Sequence, residues 1–364
     1  MKESTVWRDH YLKMYATNNS HLEILVQIPV LLHRYVVPIL FVIGNLGNVI
    51  NFLIFFKRSW RKNVCVFYFI ICGLSNILFI NSTLFGSIFT LGFYLSVFHT
   101  NIFLCKLFHY VSYLSSMYYP TLLICASFDR LLLSSQNVDT RLYSSKRLAY
   151  LFVSTNFVLW TVFSMHILVR VHIQQVDVDQ YICTYDLSPF YRNFIMYSTL
   201  IISVVVLLVL IILSMLAFKN VRHIRANRSS KRNQIRTMHK KDFQLLRCLF
   251  IHNIVYLISS VVIVVGVNYT VTFDYTRATA TQEAVNTFLN NFGAFLHYIP
   301  YCTSFFIFIY ESRAFRQEVK HMVYKLCGKN LIITREEENQ QQEPTRENPD
   351  LNNVVAVSTI ALTR

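Results

Sequence analysis

Long apolar runs alternate with short polar and basic intervals along most of the chain. Seven runs, each near or above about 18 residues and poor in charge, fall at about 32–56, 64–89, 102–133, 148–171, 193–218, 243–268 and 285–310. A helix of about 20 apolar residues crosses the hydrocarbon core of a bilayer, which is about 30 Å thick. The pattern therefore predicts an all-α membrane protein, a bundle of seven transmembrane helices.

Basic residues are distributed unequally between the polar intervals. The first, third and fifth intervals, counted with the adjoining ends of the runs, hold 17 Lys and Arg residues, whereas the other three hold Arg170, Arg192 and Arg277. Cytosolic loops of membrane proteins carry the excess of Lys and Arg. We therefore expect a multi-pass protein of the plasma membrane with its N-terminus outside and its C-terminus in the cytosol.

The two ends of the chain differ from its apolar centre. Residues 1–31 are polar and charged, which predicts an extracellular tail before a transmembrane domain at 32–310. Residues 311–329 place apolar side chains at helical spacing among basic ones, which predicts a short cytosolic juxtamembrane helix. Residues 330–364 are rich in Glu, Gln and Asn, and this composition predicts a disordered cytosolic tail.

Composition narrows the class of function. Of the 364 residues, 15% are charged, against about 25% in soluble domains. The net charge of +15 alone would suggest nucleic acid, but the basic residues cluster between apolar runs, so we expect membrane lipid and no nucleic acid as a partner. No catalytic constellation, metal-spaced histidine pair or phosphate-binding glycine loop is evident, so the sequence predicts no enzyme, no metal and no cofactor.

The third apolar run carries the most informative pair of residues. Cys105 and Arg130 stand 25 residues apart near its two ends, and a helix of that length rises about 37 Å, enough to cross the bilayer. Cys105 is then at the outer face of the membrane, and Asp129 with Arg130 is at the cytosolic face. Cys183 falls in a later outer interval and can lie on the same side as Cys105.

Short motifs in the chain resemble those of rhodopsin-like (class A) G-protein-coupled receptors over about residues 35–328. The first run contains Gly-Asn-Leu-Gly-Asn-Val at 44–49, which includes Asn48. Cys105 and Asp129-Arg130 stand at the two ends of the third run, and Trp160 lies in the fourth. Cys183 falls in the second outer interval, and Ser-Arg-Ala-Phe-Arg follows the seventh run at 312–316. The resemblance implies a receptor that couples an extracellular ligand to a heterotrimeric G protein.

The resemblance also implies roles for residues at the cytosolic face. Asp129 would pair with Arg130 in the resting receptor, and the freed Arg130 would meet the G protein in the active one. The basic start of the sixth run, Lys240 and Lys241, would join this coupling surface. A simple anchor at the membrane surface is the alternative role for Arg130.

Two further features are implied within the bundle. A disulfide between Cys105 and Cys183 would hold the second outer loop over the binding cavity, with two free thiols as the alternative. Asn48, Asn76 and Ser304 would form a polar network between the first, second and seventh runs. Asn76 stands where the family has a sodium-binding aspartate, and we expect no sodium there because an amide carries no charge.

Other family motifs are missing. The proline of the fifth run is absent, Tyr-Leu-Ile-Ser-Ser at 256–260 replaces Cys-Trp-x-Pro, and Ser-Phe-Phe-Ile-Phe at 304–308 replaces Asn-Pro-x-x-Tyr. These departures put the usual activation mechanism in doubt more than the fold. A seven-span transporter or channel, and a receptor-like scaffold that does not signal, are therefore the alternative functions.

The ligand class is inferred from charge alone. Amine receptors of the family carry an aspartate one or two turns below the disulfide, and residues 106–113 contain no carboxylate. The outer intervals have a mild acidic bias, carried by Asp177, Asp179, Asp186, Asp274 and Glu283. We therefore expect a peptide ligand with a basic residue.

Two modification sites are expected outside the bundle. Asn18 begins an Asn-Asn-Ser sequon in the outer tail and is a candidate for glycosylation. Cys327 ends the basic juxtamembrane helix and is a candidate for palmitoylation. The cysteines within the apolar runs are expected as small buried hydrophobic residues.

Overall fold

A computed structural model describes residues 20–95, 100–135, 139–140, 143–177, 180–186, 188–227, 240–272 and 278–327. Within these residues the fold is helical apart from one two-stranded sheet. The chain divides into two units, Met1–Gln317 and Glu318–Arg364, and the helical bundle belongs to the first. The second unit contributes the end of the C-terminal helix, Arg313–Leu326, where the sequence predicted a juxtamembrane helix over 311–329.

The bundle is built from helical segments numbered here helix 1 to helix 7. In order, they are Ser20–Leu31 with Leu32–Val36 and Val37–Phe55; Val64–Phe79 with Ile80–Leu84, Phe85–Ser87 and Ile88–Gly92; Ile102–Leu133; Lys146–Arg170; Pro189–Asn227; Lys240–Thr272; and Ala280–Cys302 with Ser304–Glu311. A short helix, Arg58–Arg61, connects helices 1 and 2. Helices 1 and 2 contain π-helical turns at Leu32–Val36, Ile80–Leu84 and Ile88–Gly92.

The helices satisfy the requirement for membrane spans to different degrees. Among the described residues, five are long and apolar enough to cross a membrane, and the bent pair of helix 7 makes a sixth. Helix 3 is not one of them, because residues such as Lys106 and several serines and tyrosines lower its mean hydropathy. It packs against helices 2, 4 and 5 and buries Tyr119, Leu122 and Leu123. A central helix shielded by its neighbours can carry these polar groups on inward faces.

Helix 1 is longer than the sequence predicted. It begins at Ser20, well before the expected start of the first run at residue 32. Leu22 is buried against Ala284 of helix 7, whereas Glu23 faces outward. The alternation of apolar and polar residues at helical spacing interrupts the hydrophobic run, so the run alone places this start too late.

Helix 7 is bent where the sequence predicted one continuous run over 285–310. Its two parts, Ala280–Cys302 and Ser304–Glu311, meet at an angle of 48°. Pro300 precedes the break, and proline removes one backbone donor and crowds the preceding turn. Thr303, at the break itself, still donates its backbone N–H to Ile299 O at 3.1 Å.

The connection between helices 4 and 5, expected to be the second outer loop, forms a β-hairpin that the hydrophobic pattern does not predict. Strands β1, Val171–Asp177, and β2, Gln180–Tyr185, pair antiparallel, with Ile173 opposite Cys183. A disulfide joins Cys183 to Cys105 at the outer start of helix 3, with 5.7 Å between the two Cα atoms. The predicted bridge is confirmed, and it ties the hairpin to the bundle.

Large apolar side chains cover the outward faces of the helices. Ile39, Leu46 and Ile258 are 57%, 60% and 68% exposed, and many other residues of this type share the same surface. Proteins in water rarely expose apolar patches of this extent. The surface therefore fits a hydrocarbon environment, in agreement with the membrane fold expected from the sequence.

Candidate functional site

Asp129 and Arg130 form a buried ion pair at the C-terminal end of helix 3, the end that is expected to face the cytosol and is called the cytosolic end below. Arg130 Nη2 lies 2.5 Å from Asp129 Oδ2, and Arg130 Nε donates to the same oxygen at 3.0 Å. The two side chains are only 3% and 2% exposed. Ser144 Oγ donates to the other carboxylate oxygen at 2.8 Å. A buried guanidinium requires such compensation, because an unpaired charge in the interior is strongly destabilising.

Arg130 also faces helix 6. Its Nη1 lies 4.0 Å from Asp242 Oδ1 and has no hydrogen-bond partner within the described residues. Asp242 accepts a hydrogen bond from Asn63 Nδ2 at the start of helix 2. Helices 2, 3 and 6 are therefore joined at their cytosolic ends through a single carboxylate. In the sequence, Asp242 stands in no recognisable motif, and its only signal is an acidic residue directly after Lys240 and Lys241.

For the two lysines predicted to join the coupling surface, the structure describes the backbone but not the side chains. Lys240 and Lys241 form the first turn of helix 6, directly before Asp242. Their side chains lie outside the described structure. The backbone nevertheless brings them to the same end of the bundle as Asp129 and Arg130.

A second set of contacts joins helix 6 to the end of helix 7. Arg247 Nη2 forms an ion pair with Glu311 Oε2 at 2.6 Å, and Gln244 Oε1 accepts a hydrogen bond from Ser312 Oγ at 3.0 Å. Arg247 is 56% exposed, whereas Glu311 is 5% exposed. These contacts close the cytosolic side between helices 6 and 7.

The structure brings the three expected network residues together beside the bend in helix 7. Asn76 Nδ2 donates to Asn48 Oδ1 at 3.4 Å and to Ser304 Oγ at 3.1 Å. Asn48 Nδ2 donates to the backbone oxygen of Tyr301 at 3.2 Å. The network thus links helices 1 and 2 to both sides of the bend.

This polar region does not form a ligand or cation site. The adjoining cavity measures about 10 Å³, close to the minimum that one water molecule needs. Asn48, Asn76 and Ser304 offer only neutral oxygens, so the residues present do not fit a sodium ion that needs a carboxylate. Within the described parts of the chain, no group of three His, Cys, Asp or Glu residues could hold a metal.

A larger cavity opens at the outer end of the bundle. Its volume is about 290 Å³, near the lower limit of ligand pockets, which is about 300 Å³. It lies between helix 1, the end of helix 2, strand β2 and helix 7. The lining residues are Val26, Pro29, Val30, His33, Thr90, Leu91, Tyr94, Leu95, Ile182, Cys183, Thr184, Thr287 and Asn291. The disulfide at Cys183 therefore fixes one wall of a candidate ligand cavity.

The acidic residues of the outer loops are only partly available for a ligand. Asp186 pairs with Arg170 Nη1 at 3.2 Å and accepts the backbone N–H of Ser188 at 2.9 Å. The hydrogen bond from Ser188, followed by the contact with Arg170, lowers the pKa of Asp186. The side chains of Asp177, Asp179 and Asp274 lie outside the described residues. Asp186 thus serves the anchoring of the hairpin.

The expected modification sites fall at the edges of the described structure. Asn18 lies outside the described residues. Cys327, directly after the C-terminal helix, is a free and exposed cysteine. In the apolar helices, Cys65, Cys72, Cys248 and Cys302 are buried thiols and Cys125 is partly buried.

Comparison with known proteins gives one family. A family model described as 7 transmembrane receptor (rhodopsin family) matches residues 47–306, which is more than half of the chain. The matched segment includes the disulfide, the Asp129–Arg130 pair and the Asn48–Asn76–Ser304 network. No curated protein matches the chain.

Proposed function

The chain belongs to the rhodopsin family of seven-transmembrane receptors, and we propose that it transmits the binding of an extracellular peptide to a heterotrimeric G protein. Membership of this family gives the bundle its seven helices and makes the protein a receptor, not an enzyme. It also favours a receptor over the seven-span transporter or channel. A position in the plasma membrane, with the outer cavity facing the exterior, is part of the proposal.

The observation that carries the coupling proposal is the contact between Arg130 and Asp242. Arg130 is held by Asp129 on its own helix and faces Asp242 on helix 6, with one nitrogen lacking a hydrogen-bond partner among the described residues. Moving helix 6 away would remove the Asp242 contact and open a cavity beside Arg130. A G-protein segment that offers carbonyl or carboxylate oxygens would then bind the exposed guanidinium.

The outer end of helix 6 is held more firmly than its cytosolic end. Thr270 Oγ1 and Asn286 Oδ1 are 2.7 Å apart, and Asn290 Nδ2 donates to Thr270 Oγ1 at 2.7 Å. Thr270 and Asn286 are buried, and breaking a buried hydrogen bond leaves groups whose desolvation costs about 1–3 kcal/mol each. The cytosolic contacts, namely the Arg247–Glu311 pair and the hydrogen bonds of Asp242 with Asn63 and of Gln244 with Ser312, are partly open to solvent. An exposed ion pair contributes about 0.2–1 kcal/mol. We therefore propose that the cytosolic end separates first.

Close helix packing supports a pivot in the outer half of helices 6 and 7. A methyl group added at Gly266 would come within 3.2 Å of Leu289 O, and one added at Gly293 within 3.3 Å of Ile263 Cα. The two helices approach through these glycines. Since helix 6 contains no proline, we propose that it swings about this region as a rigid body. This rigid-body movement would take the place of the change in helix 6 that the Cys-Trp-x-Pro motif supports in the family.

A peptide library applied to cells that express the chain tests the proposed function. Intracellular calcium and cAMP are measured for the unmodified chain and for an Arg130→Ala variant present at the same surface level. We expect active peptides to act on the unmodified chain and to lose their effect on the variant. Responses of equal size in both would contradict coupling through Arg130. A chain that activates no G protein with any peptide would favour the non-signalling scaffold.

A further inference from the structure

A pair of asparagines stands on the outward surface between helices 1 and 2. Asn81 of helix 2 is exposed, and its Nδ2 donates to Asn45 Oδ1 of helix 1 at 2.8 Å. Val42 and Leu78, each three residues before one of the asparagines, are exposed apolar side chains. Hydrocarbon offers no hydrogen-bonding groups, so a polar side chain that faces lipid is unfavourable unless another molecule covers it.

The asparagine pair lies near the middle of the membrane. Asn45 is 11 residues after Arg34 and 12 residues before Lys57, the charged residues that flank the apolar part of helix 1. It is therefore roughly 17 Å along the helix from each of them. The hydrocarbon core is about 30 Å thick, and the polar groups of lipids lie outside it. A group that hydrogen-bonds with the pair must therefore come from another membrane-spanning helix.

The hydrogen bonds within the pair leave one acceptor and one donor free. Asn81 Nδ2 donates to Ile77 O at 2.8 Å as well as to Asn45. Asn45 Nδ2 donates to Phe41 O at 3.1 Å. Because backbone oxygens only accept, these two bonds fix which amide atom is the nitrogen. Among the described residues, Asn81 Oδ1 accepts no hydrogen bond and one N–H of Asn45 has no acceptor.

We propose that two copies of the chain associate through this surface, with Asn45 Nδ2 of each copy donating to Asn81 Oδ1 of the other. A two-fold axis along the membrane normal places equivalent residues of both copies at the same depth. The free donor of one copy then meets the free acceptor of the other, and both bonds form twice. The pair is thus complementary to itself, so a second copy supplies the required groups without any other protein.

Side-chain contacts, not close backbone packing, would hold the two copies together. The glycines of helix 1 face inward, since a methyl group added at Gly44 would come within 2.9 Å of Cys302 Sγ, and one added at Gly47 within 2.8 Å of Phe305 Cβ. They are therefore not available to a second copy. Apolar surface gives no hydrophobic driving force between helices in lipid. The specific attraction at this surface therefore comes from the asparagines.

Counting of photobleaching steps in lipid vesicles tests the association. The full chain is purified, labelled with one fluorophore at a C-terminal tag and reconstituted over a series of protein-to-lipid ratios. The fraction of spots with two steps gives a dissociation constant. Asn45→Leu combined with Asn81→Leu should raise this constant roughly tenfold, because two interhelical hydrogen bonds are lost in each dimer. Asn156→Leu, which changes a half-buried asparagine of helix 4 in the same way, should leave it unchanged.

Cross-linking in membranes tests the position of the interface. Leu78→Cys is placed on the exposed face of helix 2, and Ile258→Cys, on the exposed face of helix 6, is the matched control. Both carry Cys327→Ser, which removes the exposed thiol. A membrane-permeant bis-maleimide should join two copies through Leu78→Cys and not through Ile258→Cys. Adding the two leucine substitutions should abolish the cross-linked dimer.

Three results would overturn the proposal. They are monomers at every protein density, a dissociation constant that the double leucine variant leaves unchanged, and cross-linking at Ile258→Cys equal to that at Leu78→Cys. Monomers alone would indicate that a different membrane protein covers the asparagines. The comparison of the two cysteine positions decides the matter even if the double leucine variant is not recovered folded. Neither assay contains a G protein, so their outcome is independent of the proposed receptor function.

Discussion

At the scale of single residues, the proposed switch consists of a buried arginine and the two carboxylates that face it. Arg130 is 3% exposed, and its two closest charges are Asp129 at 2.5 Å and Asp242 at 4.0 Å. Coulomb attraction falls with distance, and the more distant contact also spans two helices. The nearer carboxylate therefore sets the orientation of the guanidinium, and the farther one couples it to the position of helix 6.

Neutralising Asp129, the nearer carboxylate, tests whether it holds Arg130 in the closed state. Asp129→Asn keeps the shape of the side chain but removes the charge that holds Arg130, so the closed state loses stability relative to the open one. We expect guanine-nucleotide exchange without ligand to rise several-fold in membranes that contain the variant. Asp139→Asn, an exposed carboxylate of the same cytosolic region, serves as the control. Unchanged exchange in Asp129→Asn would show that this pair does not restrain the receptor.

At the scale of the elements, the two ends of helix 6 differ in the contacts that hold them to the rest of the bundle. Its outer end shares buried hydrogen bonds with helix 7 through Thr270, Asn286 and Asn290. Its cytosolic end is held by the 4.0 Å contact between Asp242 and Arg130, by the Arg247–Glu311 pair, and by the hydrogen bonds of Asp242 with Asn63 and of Gln244 with Ser312. An outward swing of the cytosolic end would break these partly exposed contacts and keep the buried hydrogen bonds of the outer end.

Removing the ion pair between helices 6 and 7 tests the swing. Arg247→Ala eliminates the partly exposed ion pair with Glu311, an interaction of about 0.2–1 kcal/mol. Ligand-free nucleotide exchange should rise by a factor of up to about five, because 1 kcal/mol corresponds to roughly a fivefold change in an equilibrium. Arg313→Ala, which removes an exposed cation nearby, should have no such effect. Equal exchange in the two variants would argue against helix 6 as the moving element.

The elements also show which features a single sequence can reveal. The apolar runs locate most of the helices because continuous hydrophobicity is a local property, and helix 3 follows the predicted 102–133 closely at Ile102–Leu133. The bend at Thr303 has a local signal in Pro300, whereas hydropathy predicts neither the π-helical turns nor the β-hairpin. The early start of helix 1 depends on its packing against Ala284. Such tertiary contacts leave little trace in hydropathy.

The site residues also fall into those that a sequence motif identifies and those that only the structure identifies. Cys105, Cys183, Asp129, Arg130 and Asn48 stand in short motifs, so a resemblance could identify them. The role proposed for Asp242 comes from contacts across the bundle. Asp242 lies 112 positions after Arg130 in the sequence, so geometry was needed to recognise it.

At the scale of the whole molecule, coupling through Arg130 requires that its end of the bundle lie on the cytosolic side of the membrane. The first, third and fifth connections carry 17 basic residues, against three in the others. The positive-inside rule therefore predicts that the Asp129–Arg130 end of the bundle faces the cytosol. The outer cavity and the disulfide would then face an oxidising exterior, where such bridges persist.

Glycosylation mapping tests this orientation. Asn18 should carry glycan in cells, whereas a sequon introduced beside Arg232 in the third cytosolic connection should not. Sensitivity of each variant to a glycosidase, read as a mobility shift, distinguishes the two. Glycan at the Arg232 position would reverse the orientation and exclude coupling through Arg130.

Guanine-nucleotide exchange in membranes containing Asp242→Ala, alone and combined with Arg130→Ala, tests the central claim most directly. The first change releases helix 6 from Arg130 and should raise exchange without ligand. The second removes the group that would contact the G protein, and exchange should return to the level of membranes without receptor. Equal amounts of both variants at the cell surface are the required control. Raised exchange that persists in the double variant would contradict the account.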